Sequence, residues 1–482
     1  MKNGVFKSDW FTGLVITLSF LIFSGSDFIA SMERSAYDFG VKSSSRTPSD
    51  KIAIIAIDDQ SIDNIGRWPW SRDIHAEMHN ILAEGGAKAV GQTVFFSEPQ
   101  IDPGLQFIRE LRQAFEESSI AVVPELVDEI ALTIDESREL VKGKRDIKGQ
   151  AALDKIAGVL EESPLRHQVA KELDAYREYI NSAETMLDTD KTLALSMQNA
   201  GNIVFNMPFV PGQPYGQPDE ALPAFIGKNK LLESNIIDNA AANPEGFMPL
   251  AMIDVYQPIE VLGEQADAIG ALVALPDVDG GIRQEPLIID YYGDLYPSMA
   301  LLLAAKSLNL GIEDISITVG SNVQLGRLNI KTDGHSLMNT FFYHDEGDNG
   351  AFAIDSFFDV LQAKIPADKY KDKIVLIGAT ALGVGDSFVT PIDPNMSPVV
   401  TLAHSVSSIL NEDFFVEPEW GFYARLGAIL IIALYLMLLL PRLNAIIGFI
   451  ITGILLAALF ITHYIMMTSQ GMWLQLMMPA LL

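Results

Sequence analysis

Residues 51–99 read KIAIIAIDDQSIDNIGRWPWSRDIHAEMHNILAEGGAKAVGQTVFFSEP, and the succession of patterns within them decides the fold. Ile52 to Ile57 is an unbroken run of isoleucine and alanine, the mark of a short strand buried on both faces of a parallel sheet, and Asp58-Asp59 ends it. Gly66 permits a turn and Pro69 stiffens it, which leaves Arg67, Trp68 and Trp70 on a short rigid connector. Ser71 suits an N-cap and Asp73 the positive first turn of a helix. Ile74, Met78, Ile81 and Leu82 then recur on one face until Gly85-Gly86 stops it. Val90, Val94 and Phe95 supply a second strand. Strand, crossover helix and strand of this length form a βαβ unit. Its ligand-facing edge lies past the strand carboxyl ends, where Asp58, Asp59, Ser97 and Glu98 fall.

Outward from this unit, both ends of the chain are apolar. The 482 residues are 49% hydrophobic, and the mean hydropathy of +0.22 is high for a purely soluble protein. Trp10 to Ile29 has spanning length and follows Lys2 and Lys7, so it reads as an anchor; a cleaved signal peptide is the rival reading, but no small-x-small site follows. Phe422 to Leu440 and Leu443 to Met467 are two more spans, and Met472 to Leu482 begins a fourth. Arg442, in the short loop between spans, and the leading lysines place those parts in the cytoplasm. The expected plan is residues 1–32 as cytoplasmic start and first span, 33–420 as an extracytoplasmic domain, and 421–482 as the later spans. A net charge of -29 disfavours nucleic acid as a partner, because phosphate would be repelled. The absence of cysteine excludes disulfides, thiolate metal sites and cysteine nucleophiles.

Between 103 and 188 the composition turns to Glu, Lys, Arg, Ala and Leu, which predicts an inserted set of helices with Leu105, Ile108, Leu111 and Phe115 at helical spacing; its role is either a solvated cap or a partner or dimer surface. The sheet resumes at Asn202–Met207. Ile269–Leu275 and Ile282–Tyr291 read as a hairpin turned at Asp279-Gly280. Pro297–Leu308 predicts a helix; short strands follow around 315–319, 323–325, 328–330 and 336–342, then a buried strand at Ile374–Ile377 and a helix over Val399–Leu410. The fold class is therefore α/β: a mixed, largely parallel sheet with flanking helices and a helical insertion, plus four transmembrane helices. Gly378 to Asp386 is glycine-rich but lacks the spacing and the Gly-Lys-Ser/Thr of a phosphate loop. His75 and His79 stand four apart on a helix without a third ligand in view, so packing is the expected role, and His463 is expected to make a polar contact between spans.

Asp58-Asp59-Gln60-Ser61, Gly66-Arg67-Trp68-Pro69-Trp70-Ser71-Arg72, His75-Ala76 and Phe96-Ser97-Glu98-Pro99 resemble the opening of a CHASE2 domain, the extracytoplasmic sensor module of bacterial transmembrane receptors. Asp279-Gly280, Ile282-Arg283, Tyr296-Pro297-Ser298, Ile377-Gly378, Gly385-Asp386 and Thr390-Pro391 extend the likeness from about Ile52 to Leu410. It departs at Ser397–Ala403, where Leu402 stands in place of a family histidine, so no role of that histidine carries over. The resemblance implies a bacterial inner-membrane receptor, with its sensor in the periplasm, where it would meet a small ligand or a protein, and a homodimeric arrangement. It also implies a cytoplasmic effector outside these 482 residues. FFSEPQID and the helical insert are most similar to serine/threonine kinase members; a nucleotide cyclase or a histidine kinase is the alternative. ATP and magnesium would belong only to that effector, and no cofactor, metal or catalytic residue is expected here.

The residues with a functional case lie on loops and past strand ends: Asp58, Asp59, Arg67, Trp68, Trp70, Arg72, Ser97, Glu98, Asp279, Arg283, Asp386 and Thr390. Charges of both signs beside indole rings could hold a small polar or zwitterionic ligand. The same residues admit a structural account, with Arg67 or Arg72 clamping Asp58 or Glu98 and the tryptophans filling the gap between helix and sheet. A non-signalling solute-binding or scaffold protein is the alternative from another functional class.

Overall fold

The computed structural model describes residues 9–143, 147–162, 168–218, 221–237, 246–345 and 350–482. The chain divides into two compact units, Met1–Trp70 with Glu77–Ser97 and Met197–Leu482, and Ser71–Ala76 with Glu98–Ser196.

The first unit is built on a nine-stranded sheet. Its strands are β1 (Ile52–Ile57), β2 (Ala89–Gln92), β3 (Ile203–Pro211), β4 (Leu250–Val255), β5 (Ala268–Leu272), β6 (Ile288–Tyr291), β7 (Asp294–Pro297), β8 (Ala353–Ser356) and β9 (Ile374–Ala379). They lie in the order β8-β1-β9-β2-β3-β4-β6-β7, with β5 also paired to β3. The centre is parallel: Ile52 sits opposite Ile374 and Ile57 opposite Ala379, and every residue of β1 is buried, as its unalternating sequence requires. Two smaller sheets accompany it: Leu328–Lys331, Asn322–Leu325, Ile315–Thr318 and Ile236–Ile237 form one, and Phe414–Phe415, Leu337–Thr340 and Gln284–Pro286 the other.

The helices that matter for the site are α1 (Asp9–Ile22), α2 (Asp27–Ser43), α3 (Asp59–Ile65), α4 (Arg72–Glu84), α5 (Met299–Ser307), α6 (Pro398–Asn411), α7 (Gly421–Leu434) and α8 (Ala445–Gln470). Ser298 caps α5 by accepting from the Leu301 N–H, and Met299 to Ala305 are all buried with the central strands. Burial of each of its leucines is worth about 1.5–3 kcal/mol. Gly270 lets α5 start against β5, for a Cβ there would stand 2.4 Å from Met299 Cα.

Four expectations need correction. The segment after β1 is not all turn: Asp58 caps α3, whose seven residues precede the Gly66–Trp70 connector. Val94 and Phe95 are not in β2, because the Asn206 side chain donates to the Gln92 and Val94 carbonyls (2.8 and 3.1 Å) and takes the place of further ladder bonds; Phe95 is left exposed. The turn at Asp277–Gly281 forms, with Gly280 at φ +80° and an antiparallel bridge between Pro276 and Ile282, but the expected hairpin pairing goes no further along its flanks. Ile282 N–H donates to Val389, so the incoming strand stays on β3 while Gln284–Pro286 joins Leu337–Thr340 in another sheet. The apolar amino-terminal segment is not one straight helix either. It bends by 79° between α1 and α2 at Ser24-Gly25-Ser26, where the Ser24 hydroxyl turns back to the Leu21 carbonyl.

Gly421–Arg442 and Ala445–Gln470 are long and apolar enough to cross a membrane, and the bent pair α1–α2 makes a third candidate. At the position of the expected fourth span, Met472 bridges to Val416 and only Met477–Leu481 is helical.

The second unit holds the helices Pro103–Glu116, Val123–Val141, Ile147–Glu162 and Gln168–Leu187. Arginines tie them across the surface: Arg109 reaches Glu184 (3.1 Å) and Asp188 (2.7 Å), and Arg138 reaches Asp154 (2.9 Å). Leu105 is buried, whereas Leu111 is exposed, so the predicted apolar face is only partly covered.

Candidate functional site

The first unit's densest charge network lies where α2 meets the loop between β5 and the strand Gln284–Pro286. Arg34 and Asp38 are one helical turn apart on α2; Asp277 and Asp279 flank the tight turn, and Arg283 follows it. The Arg283 guanidinium is forked twice. Nε and Nη2 donate to the two Asp38 oxygens at 2.8 Å each, and Nη1 and Nη2 donate to the two Asp279 oxygens at 2.9 Å each. Asp277 stands 3.5 Å from Nη1 at the margin of this fork. Gly281 N–H donates to Asp279 Oδ1 (3.0 Å), and the bare Cα of Gly281 is needed, since a Cβ would lie 2.7 Å from Arg283 Nη1. The hydrogen bonds from Arg283 pull the Asp279 carboxyl down to about 2. Burial works against the charge of Arg283, but the hydrogen bonds to Asp38 and Asp279 outweigh it and hold its pKa above the usual arginine value.

The same helix is tied to the apolar carboxyl end of the chain. Tyr37 is buried, edge-on to Phe415 (5.6 Å) and to Trp473 (5.0 Å). His463 on α8 lies within hydrogen-bonding distance of the Ala36 carbonyl (3.0 Å) and the Leu474 carbonyl (3.2 Å), the expected polar contact between helices. Glu33 accepts from the Met477 N–H at 2.7 Å, and a Cβ on Gly40 would strike Met467. Beside the fork, a cleft of about 300 Å³ is lined by Arg34, Tyr37, Leu275, Pro276, Asp277, Gly281, Arg283, Gln284, Asn339 and Trp473.

Of the twelve residues singled out from sequence, Asp279 and Arg283 are brought together here. The others serve elsewhere. The Asp58 carboxylate accepts from the Ser61 N–H (2.9 Å), the Ser61 hydroxyl and the Ser356 hydroxyl (2.9 Å), which fixes the start of α3 against β8. Trp70 is buried against Phe357 (5.0 Å) and Trp68 (5.1 Å), and its indole donates to the Gly66 carbonyl (2.9 Å), so it fills the gap beside the sheet. Arg72 clamps neither Asp58 nor the Glu98 carboxylate; it donates to Asp190 (3.2 Å) and to the Glu98 carbonyl (3.1 Å). Thr390 is buried and closes a loop by donating to the Asp393 carbonyl (2.9 Å). Asp59, Arg67, Ser97, Glu98 and Asp386 are exposed.

The two spaced histidines pack, as expected. His75 is buried, and so is His79, whose ring faces Gln92 at 3.3 Å and which burial pushes down to about 4. Among the described residues no group of three His, Asp or Glu is placed to hold a metal. Leu402, at the departure from the family pattern, is buried in the core, while His404 two positions on accepts from the Tyr343 N–H at 3.1 Å. Arg34, Tyr37, Asp38 and Trp473 were not legible as site residues. Asp38 lies 245 positions from Arg283, and the only hint was the four-residue spacing of Arg34 and Asp38 on a helix.

No curated protein and no solved structure matches the chain significantly. The CHASE2 domain family matches residues 12–440, from within α1 through the whole of the sheet to the end of the first carboxyl-terminal membrane helix. Matched over most of its length, from one apolar end to the other, the chain belongs to the CHASE2 domain family.

Proposed function

We propose that this chain is the sensing and membrane-spanning part of a signalling receptor, in which a stimulus at the sheet unit reaches the spans through α2. CHASE2 domains are typically extracytoplasmic, and the apolar helices here precede and follow the sheet. The observation that carries the proposal is the double fork of Arg283. It fastens α2, the continuation of the amino-terminal apolar helix, to a loop of the sheet unit, while His463 and Trp473 meet the same helix from the carboxyl-terminal side. A helix held from both sides is an element that two arrangements of the domain can bias in opposite directions. We place the domain in the periplasm of a bacterial inner membrane and the receptor in a homodimer. We assign the effector to the serine/threonine kinases, on the likeness of FFSEPQID and of the helical insert.

The test fuses residues 1–482 to a cyclase output domain and reads cyclic nucleotide in cells. Arg283→Ala and the milder Asp38→Asn should each change basal output by about 5-fold or more, the range of an ordinary coupling energy. Wild-type output from both folded variants would overturn the assignment of α2 as the relay.

A further inference from the structure

The cleft beside the Arg283 fork has an unusual lining. Arg34 Nε, Tyr37 Oη and Trp473 Nε1 are all shielded from solvent, and none has a hydrogen-bond partner among the described residues. Arg34 Nε lies 3.3 Å from Asp279 and 3.8 Å from Asp277, close enough for charge attraction without hydrogen-bond geometry. All three residues line one cleft, and each of these atoms can donate. Native proteins leave few buried donors unsatisfied, so three in one place ask for an acceptor from outside the chain. The charge balance narrows its identity. Asp38, Asp277 and Asp279 outnumber Arg34 and Arg283 by one, so a bare anion would add to an existing excess of negative charge. Asp277, at the outer margin of the fork, is the most loosely held of the three: its Oδ2 accepts from Arg283 at 3.5 Å and its Oδ1 from the Val278 N–H at 2.7 Å, so each oxygen keeps acceptor capacity for a cation. The rings of Tyr37 and Trp473, with Leu275 and Pro276, offer an apolar wall between the two ends. A volume of about 300 Å³ lies at the small end of the range for ligand sites.

We propose that this cleft binds a small zwitterion of the amino-acid type, its carboxylate received by Arg34, Tyr37 and Trp473 and its ammonium by Asp277. This deepens the receptor proposal, on which its physiological sense rests, but binding is measured on the chain alone, so failure of binding and failure of coupling are read separately. The same chemistry, acceptor oxygens beside an ammonium, is carried by a phosphoethanolamine lipid headgroup.

The test uses the full chain purified in detergent and the twenty standard amino acids as probes, with saturable binding followed by calorimetry and by thermal shift. At least one amino acid should bind and raise the melting temperature, and the amine or the carboxylic acid lacking its other charge should bind less tightly. Tyr37→Phe keeps the ring and removes one donor, and should weaken binding by about 2- to 10-fold; Asp277→Asn should do the same with the ammonium. A parallel arm in phosphatidylethanolamine nanodiscs separates the sources. Competition by that lipid alone upholds the zwitterion site and assigns its occupant to the bilayer. Absence of binding by every amino acid and by the lipid overturns the proposal and leaves the cleft to water. Undiminished affinity in both folded variants overturns it as well.

Discussion

At the residue scale, the two bidentate contacts of Arg283 use its planar fork in full, which a lysine ammonium cannot reproduce. Titration separates this network from the core beside it. Asp279 is held down to about 2, so its contribution is complete above the ordinary carboxylate range and is lost as the pH falls from about 4 through 2. Glu285 behaves in the opposite sense. Its carboxyl is enclosed and accepts from Ser405 at 3.0 Å, and burial pushes it up to about 7. The folded chain then holds a proton that the unfolded chain has released, and stability falls as the pH rises from about 4.5 to 7. Glu285→Gln should flatten this slope. Melting of wild type and variant between pH 4.5 and 8 should diverge by on the order of 1–3 kcal/mol in the variant's favour toward the alkaline end, after allowance for residual exposure of the residue. Parallel curves would show that Glu285 titrates normally.

At the element scale, close packing of helix on sheet is the decisive feature. A Cβ on Gly270 would meet the Met299 backbone at 2.4 and 2.7 Å, and backbone at the capped start of α5 has nowhere to go. Gly270→Ala should cost about 1–3 kcal/mol, the usual penalty of an overfilled core. Gly158, in the helix Ile147–Glu162, has nothing within 4 Å of its would-be Cβ, and Gly158→Ala should instead stabilise its own helix by about 0.5–1 kcal/mol. Thermal melts of the two variants should move in opposite directions; a fall for both would mean that the space at Gly158 is filled by something else. The bend between α1 and α2 has a local cause in Ser24-Gly25-Ser26 and a consequence at a distance, since it sets the line along which α2 presents Arg34, Tyr37 and Asp38.

At the scale of the whole molecule, a chain of net charge -29 is held between apolar helices, and its lack of cysteine makes its topology open to direct measurement. Tyr215, 98% exposed in a loop of the sheet unit, is a suitable outward reporter, and Pro441, in the last turn of the first carboxyl-terminal membrane helix, an inward one. In intact cells a membrane-impermeant maleimide should label Tyr215→Cys and should label Pro441→Cys only after lysis. The reverse pattern would place the sheet unit in the cytoplasm and remove the basis for an external sensor.

What the chain's own order determined was whatever depends on neighbours in sequence. The buried parallel strands Ile52–Ile57 and Ile374–Ile377, the helix over Val399–Leu410, the insertion helices and the two carboxyl-terminal apolar helices were all legible, because a short run of side chains decides burial and period. Asp279 and Arg283 were legible as polar residues on a turn. Their partner was not: Asp38 enters only because the tertiary fold carries α2 to that turn, and nothing local to position 38 or 283 encodes the meeting. For the same reason the hairpin expected around Asp277–Gly281 stops at the Pro276–Ile282 bridge, because beyond it Ile282 N–H donates to Val389 and Gln284–Pro286 pairs with Leu337–Asn339. Local sequence sets which backbone conformations are cheap, whereas the choice among distant hydrogen-bond partners is made by the packing of the whole core.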